Sequence, residues 1–280
     1  MKHYGLLIAA LFAVSCGGGT GNQNVQSNED VATDTFIVNT DLENAEKVLE
    51  TLPASHEIIA VLMDHPDAKY DASLLNSQAL YTKYNTTMSK ALNLGVYGVD
   101  MSYASLFNQN QTVLQYMAVV KMMSEQLGVL KFFDEPTMQK MEQNMDNKEM
   151  MIDIISTAFY NSDKYLLENG QREIAAMIIS GAWIEAMYTA FELTKGNYNL
   201  NPKLTSRILK QCESMDLMLS FLTAYHDSGV KEIADEFSQI QNLVNQAEIT
   251  VDGGTYKCKE SGFKSIANKI SEIRGRYVAL

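Results

Sequence analysis

Residues 171–195 place Ile174, Met177, Ile178, Ile179, Ala182, Trp183, Ile184, Met187 and Phe191 over well more than half the circumference of a helix. A helix apolar on more than one side has to be covered on more than one side, so the chain must supply other helices to surround it. Ala175, Ala182, Ala186, Ala190 and Gly181 are small enough to let one of those neighbours approach closely. Gly170 and Gly196 stand where helices end, which makes 147–169 and 171–195 an antiparallel pair.

Helix punctuation continues elsewhere, with only 4 prolines in 280 residues. Thr40-Asp41-Leu42-Glu43 spells a capping box before an apolar stripe that Pro53 stops, and Ser55 can cap the next short element, flanked by His56 and His65. Asn201-Pro202 is a cap with Pro at the first helical position. Leu204, Ile208, Cys212, Met215, Leu219 and Leu222 then form one stripe. Only 249–258 differs: it alternates around Asp252-Gly253-Gly254, as a small hairpin or a loop before a last helix at about 263–276. The expected class is all-α, one multi-helix bundle or irregular helical array over 36–280. Gly181-Ala182-Trp183-Ile184-Glu185-Ala186 resembles the first helix of a tetratricopeptide unit, but no second copy follows at that period.

The first residues read differently. A short basic start, Met1-Lys2-His3-Tyr4, precedes an uncharged run from Gly5 to Ser15, too short for the roughly 20 apolar residues of a membrane span. Ala13-Val14-Ser15-Cys16 resembles the lipobox of bacterial lipoproteins. The resemblance implies that residues 1–15 are a cleaved signal peptide and that Cys16 becomes the first residue of the mature chain. It further implies a diacylglycerol thioether and an amide-linked acyl chain, such as palmitate, on Cys16, enough for stable anchoring. Gly17 stands where an Asp retains many such proteins in the inner membrane, so outer-membrane sorting is implied, facing the periplasm, with display at the cell surface left open. Residues 16–35, glycine-rich and with little to bury, read as a flexible tether.

The chain carries 34 acids against 22 bases, a formal charge of -12, and this argues against a nucleic-acid partner, which needs clustered Lys and Arg. It also leaves the lipid, rather than the surface, to hold the body on a membrane. Recognisable catalytic and metal-binding spacings are missing. There is no Glu-x-x-His, no pair of histidines at helical ligand spacing, no Gly-x-Ser-x-Gly elbow and no phosphate-binding glycine loop. No catalytic residue, metal or cofactor is therefore assigned. Cys212 and Cys258 could form a disulfide in an oxidising compartment, but Cys212 on an apolar stripe reads better as a free thiol acting as a small hydrophobe. The 16 methionines lie among Leu, Ile and Val, as core filling does.

Two places invite a functional reading. Between Lys90 and Lys121 only Asp100 is charged, and Tyr97, Asp100, Tyr103, Asn108 and Gln111 offer apolar walls with polar handles, the make-up of a ligand pocket. The simpler reading, preferred here, has Gly98 end one helix, Asp100 cap the next, and the tyrosines fill the core with their hydroxyls bonded. Glu185 is the lone acid between Glu173 and Glu192 in the central helix. Buried, it would have a raised pKa and join the candidate site; the preferred expectation is that it marks a solvent edge. The reading overall is a membrane-anchored envelope lipoprotein, a non-catalytic binding or scaffolding module for an envelope protein or small ligand. The alternative is an envelope hydrolase acting on glycan, peptidoglycan or peptide through carboxylates, which needs two acids in a water-accessible cleft.

Overall fold

In a computed structural model of the chain, residues 69–279 are described. The signal peptide, Cys16, the tether, the expected helices between 40 and 65, and His56 and His65 lie outside the described residues. The described part is all-α: α1 Thr87–Leu106, α2 Asn110–Gln126, α3 Glu135–Gln143, α4 Lys148–Glu168 and α5 Arg172–Leu193 are followed by α6 Pro202–Cys212, α7 Met215–Thr223, α8 Ser228–Gln246 and α9 Glu260–Ala279. A hairpin of β1 Thr250–Asp252 and β2 Thr255–Lys257 stands between α8 and α9, and a strap, residues 71–86, runs into α1 through two short 3-10 turns.

Most helices begin where the sequence puts a cap. Thr86 and Ser89 form a capping box on α1, Asn147 caps α4, Asn201 caps α6 ahead of Pro202, and Asp227 caps α8. Gly170 (φ +72°) and Gly196 (φ +68°) end α4 and α5 in the left-handed conformation that costs glycine least. In the hairpin, Val251 faces Tyr256 and Asp252 faces Thr255, leaving Gly253 and Gly254, both at positive φ, as the primed two-residue turn.

α5 is the centre. It is long and apolar enough to cross a membrane, but 83% of that apolar stretch is buried among its neighbours, as in the core helix of a globular domain. α1, α4, α8 and α9 pack around it, α2 covers α1, and α7 packs on α8. The closest approach is to α1. A Cβ added to Gly181 would stand 2.0 Å from the Leu92 carbonyl oxygen, and one on Gly95 would stand 2.1 Å from that of Ile178. Only glycine at both positions allows this crossing, as the small residues on the central helix suggested.

Three expectations are corrected. Gly98 does not end a helix and Asp100 does not cap one: α1 runs unbroken from Thr87 to Leu106. The missing Cβ of Gly98 makes room for the Phe159 ring, whose Cζ a Cβ would meet at 2.3 Å. The stripe after Pro202 is two helices. Ser214 Oγ donates to the Gln211 carbonyl at 2.7 Å in the break between α6 and α7, the local side-chain bond by which serine competes with helix continuation. The last helix is longer than expected, beginning at Glu260. Cys212 and Cys258 are both free thiols. Cys212 is packed in the core, and burial pushes its pKa up to about 12. Met117, Met123, Met138, Met141 and Met151 are core residues, whereas Met122 and Met150 are exposed.

Candidate functional site

The α1–α5 crossing decides what becomes of the two acids. Asp100 lies about one turn beyond Gly95, and Glu185 about one turn beyond Gly181, so the contact that glycine permits also brings the carboxyls together. Asp100 hydrogen-bonds Glu185, and both are buried, at 2% and 0% exposure. Arg274 on α9 grips Glu185 with two bonds, Nε to Oε2 at 2.9 Å and Nη2 to Oε1 at 3.0 Å. Its guanidinium also lies 4.6 Å from the centre of the Tyr188 ring. Burial, then the Glu185 charge, pushes the Asp100 pKa well above the ordinary carboxylate range. Burial also raises that of Glu185, and the Arg274 bond pulls against it. The surroundings thus push the Asp100 carboxyl toward its neutral form, while Arg274 favours the charged form of Glu185.

The strap closes over this cluster, and side chains of the helices hold its backbone atom by atom. Asp100 Oδ2 accepts the Asn76 N–H at 3.0 Å, and Arg274 Nη2 donates to the Leu74 carbonyl at 3.1 Å. Tyr116 donates to the Asn76 carbonyl at 2.7 Å, and Tyr97 to that of Ser77 at 2.9 Å. At the strap's start the Tyr103 hydroxyl accepts the Asp71 N–H at 3.0 Å. The Asn76 side chain is buried too, donating to Tyr84 Oη and Asn93 Oδ1, while Asn93 donates to the Tyr277 carbonyl at 2.8 Å. Burial raises the pKa of Tyr97, Tyr103 and Tyr116, that of Tyr103 to about 12, so all three remain neutral donors or acceptors.

Of the six residues marked by the sequence, then, Tyr97, Asp100 and Glu185 meet in one sealed cluster, and Tyr103 belongs to the same clasp at its outer end. Asn108 and Gln111 do not join them. Asn108 is exposed at φ +55° where α1 ends, and Gln111 is exposed in the first turn of α2. Glu185 is the plainest correction: it marks no solvent edge, because α9 supplies the guanidinium that allows a carboxylate to be buried. Asn76, Tyr116 and Arg274 escaped the sequence reading. Arg274 carried a signal, since it adjoins Ile270, Ile273 and Tyr277 on the buried face of α9, where a cation has to meet an acid.

A second place is open to solvent. The hairpin overhangs α6, pinned by the Tyr256 N–H to Ser206 Oγ (2.9 Å) and by the Cys258 N–H to Tyr198 Oη (3.1 Å). Between them runs a groove of about 670 Å³, with Lys203, Arg207 and Lys210 on the α6 side and Val251 and Tyr256 on the hairpin side. The three cations stand at i, i+4 and i+7, one stripe of the helix. Arg207 and Lys210 make no ion pair among the described residues, and Val251 is 53% exposed. Among the described residues no three His, Cys, Asp or Glu side chains lie close enough to hold a metal ion. No protein-family model, no curated protein and no solved structure matches this chain.

Proposed function

We propose that the chain is a membrane-anchored envelope lipoprotein whose helical domain is a non-catalytic binding or scaffolding module. The lipid on Cys16 and the outer-membrane, periplasm-facing location rest on the resemblance of Ala13-Val14-Ser15-Cys16 to a lipobox, and on Gly17. The observation that carries the binding reading is the contrast between the two sites. The acids a hydrolase would use are closed off from water, 2% and 0% exposed, and already bonded to Arg274 and the strap. The α6–hairpin groove is a solvent-open concavity lined by side chains of both α6 and the hairpin, a shape that suits holding a partner.

The test uses the full-length protein in Gram-negative envelopes. With a photo-crosslinking amino acid in place of Val251, a discrete adduct to an envelope protein is expected, and none from the same probe in place of exposed Tyr160. Cys16→Ser should release the protein from the membrane fraction. Equal adducts from both positions, or none from either, would overturn the binding reading; full membrane retention of Cys16→Ser would overturn the anchor.

A further inference from the structure

Tyr256 joins the hairpin to α6 at two levels. Its N–H donates to Ser206 Oγ at 2.9 Å, and its hydroxyl lies beside Glu213, the residue that follows α6. Its side chain therefore runs along α6 past Arg207 and Lys210, which line the same groove. Val251 faces Tyr256 across the two strands, so their side chains stand on one face of the hairpin, and Val251 is 53% exposed. An apolar wall thus stands beside two cations.

The acids near the groove are already engaged. Glu213 meets the Tyr256 hydroxyl, and Asp252, at the hairpin turn, is paired with Lys257 at 2.9 Å. Arg207 and Lys210 make no ion pair among the described residues. At i and i+3 on a helix their Cβ atoms are about 5–6 Å apart, close enough for one carboxylate to be shared between the two cationic ends. On a chain of formal charge -12, such a pair beside an apolar wall is complementary to an anion that carries an apolar group.

The shape restricts the occupant further. The bond from Tyr256 to Ser206 fastens β2 to α6, so a chain cannot thread between them there and has to enter from the solvent side. In an extended chain an internal Asp or Glu points to one face while its apolar neighbour points to the other. At a C-terminus the carboxylate and the last side chain hang on the same Cα, so charge and apolar group arrive together. The groove of about 670 Å³ lies within the roughly 300–1,000 Å³ of ordinary ligand pockets, room for the end of a chain.

Resting on the binding reading above, we infer that the α6–hairpin groove takes the C-terminal end of a partner protein whose last residue is apolar. The terminal carboxylate lies between Arg207 and Lys210, and the last side chain lies against Tyr256 and Val251.

The experiment measures fluorescence anisotropy of fluorescein-labelled Gly-Ser-Gly-Ser-Phe with a free C-terminus, using full-length protein in nonionic detergent at physiological salt. The same peptide amidated, the free acid ending in Ser, and amidated Gly-Ser-Gly-Glu-Phe are run beside it. The free acid ending in Phe is expected to bind, and each of the other three to bind roughly tenfold more weakly or worse. Arg207→Gln/Lys210→Gln should abolish the difference between acid and amide with an unchanged melting curve, because both side chains are exposed. Val251→Asp should weaken the acid ending in Phe through its wall. Equal binding of acid and amide, or a difference that survives in the double variant, would overturn the inference. So would equal binding of the amidated Glu peptide, which would make any carboxylate sufficient, or displacement by equimolar inorganic phosphate, which would make the groove a bare anion site. Val251 adducts in envelopes without any chain-end binding would remove this inference and leave the binding module standing. Absence of both would remove both.

Discussion

The cluster beneath the strap and the groove on α6 both gather charge, and they differ in what covers it. Asp100, Glu185 and Arg274 look like catalytic equipment by residue type, yet each polar contact is taken up by the protein itself, and the strap leaves no approach. Lys203, Arg207 and Lys210 look like the ordinary solvated face of a helix, yet the hairpin folds over them and makes a concavity. A charge removed from water must be satisfied from within, so it becomes part of the architecture; a charge at the wall of a solvent-open concavity, as Arg207 and Lys210 are, keeps its water.

The largest effect is expected at the crossing that creates the cluster. Gly181→Ala would drive a methyl to 2.0 Å from the Leu92 carbonyl oxygen, backbone that cannot turn aside. It should cost about 3 kcal/mol or more, read as a drop in the urea midpoint or as failure to fold, and a midpoint near wild type would contradict the close crossing. Arg274→Met should follow closely. It leaves Glu185 buried without its cation and should cost about 3–5 kcal/mol, whereas adding Glu185→Met should recover most of that. A double variant no more stable than the single one would show that the ion pair does not account for the loss.

A smaller effect should appear in pH titrations of stability. The folded pKa of Asp100 lies above its unfolded value, so its contribution is complete below about pH 4. It drains away as pH rises through the folded pKa, because the unfolded chain ionises first. Asp100→Asn should flatten this decline, so that the variant gains on wild type between pH 4 and neutrality. A parallel pair of stability curves would count against a protonated Asp100. Asp163 on α4, also buried and raised by burial alone, should behave in the same sense when replaced by Asn. The smallest expected change is in the groove, where Arg207→Glu and Lys210→Glu should each alter stability by less than about 0.5 kcal/mol. A large destabilisation there would mean that the two regions do not differ in the way described.

What the sequence disclosed follows from the range of the forces involved. The all-round apolar pattern of α5 implied burial, and Gly181 implied a close neighbour, because both are properties of one helix. The end glycines and caps were local as well, and so was the Asp252-Gly253-Gly254 turn. Glu185 was misjudged because its partner lies 89 residues further on, and no local pattern joins the two. Gly98 reads as a helix stop within its own segment, but the Phe159 ring on another helix settles the matter. The groove went unseen for a similar reason: its cations and its overhanging valine come from segments that each, taken alone, resemble a solvated surface.

The clasp on the strap also has a consequence in time. Arg274 reaches the Leu74 carbonyl across 200 residues, and Tyr84 reaches that of Val278 across 194. A ribosome releases the strap early and α9 late, so during synthesis Glu185 has no guanidinium to meet and the strap has only part of its holders. Such long-range closures are slow to form. The domain therefore cannot complete itself until nearly all of its length has emerged, and a chain exported as an unfolded thread would arrive with its central charges still in water, able to fold only on the far side.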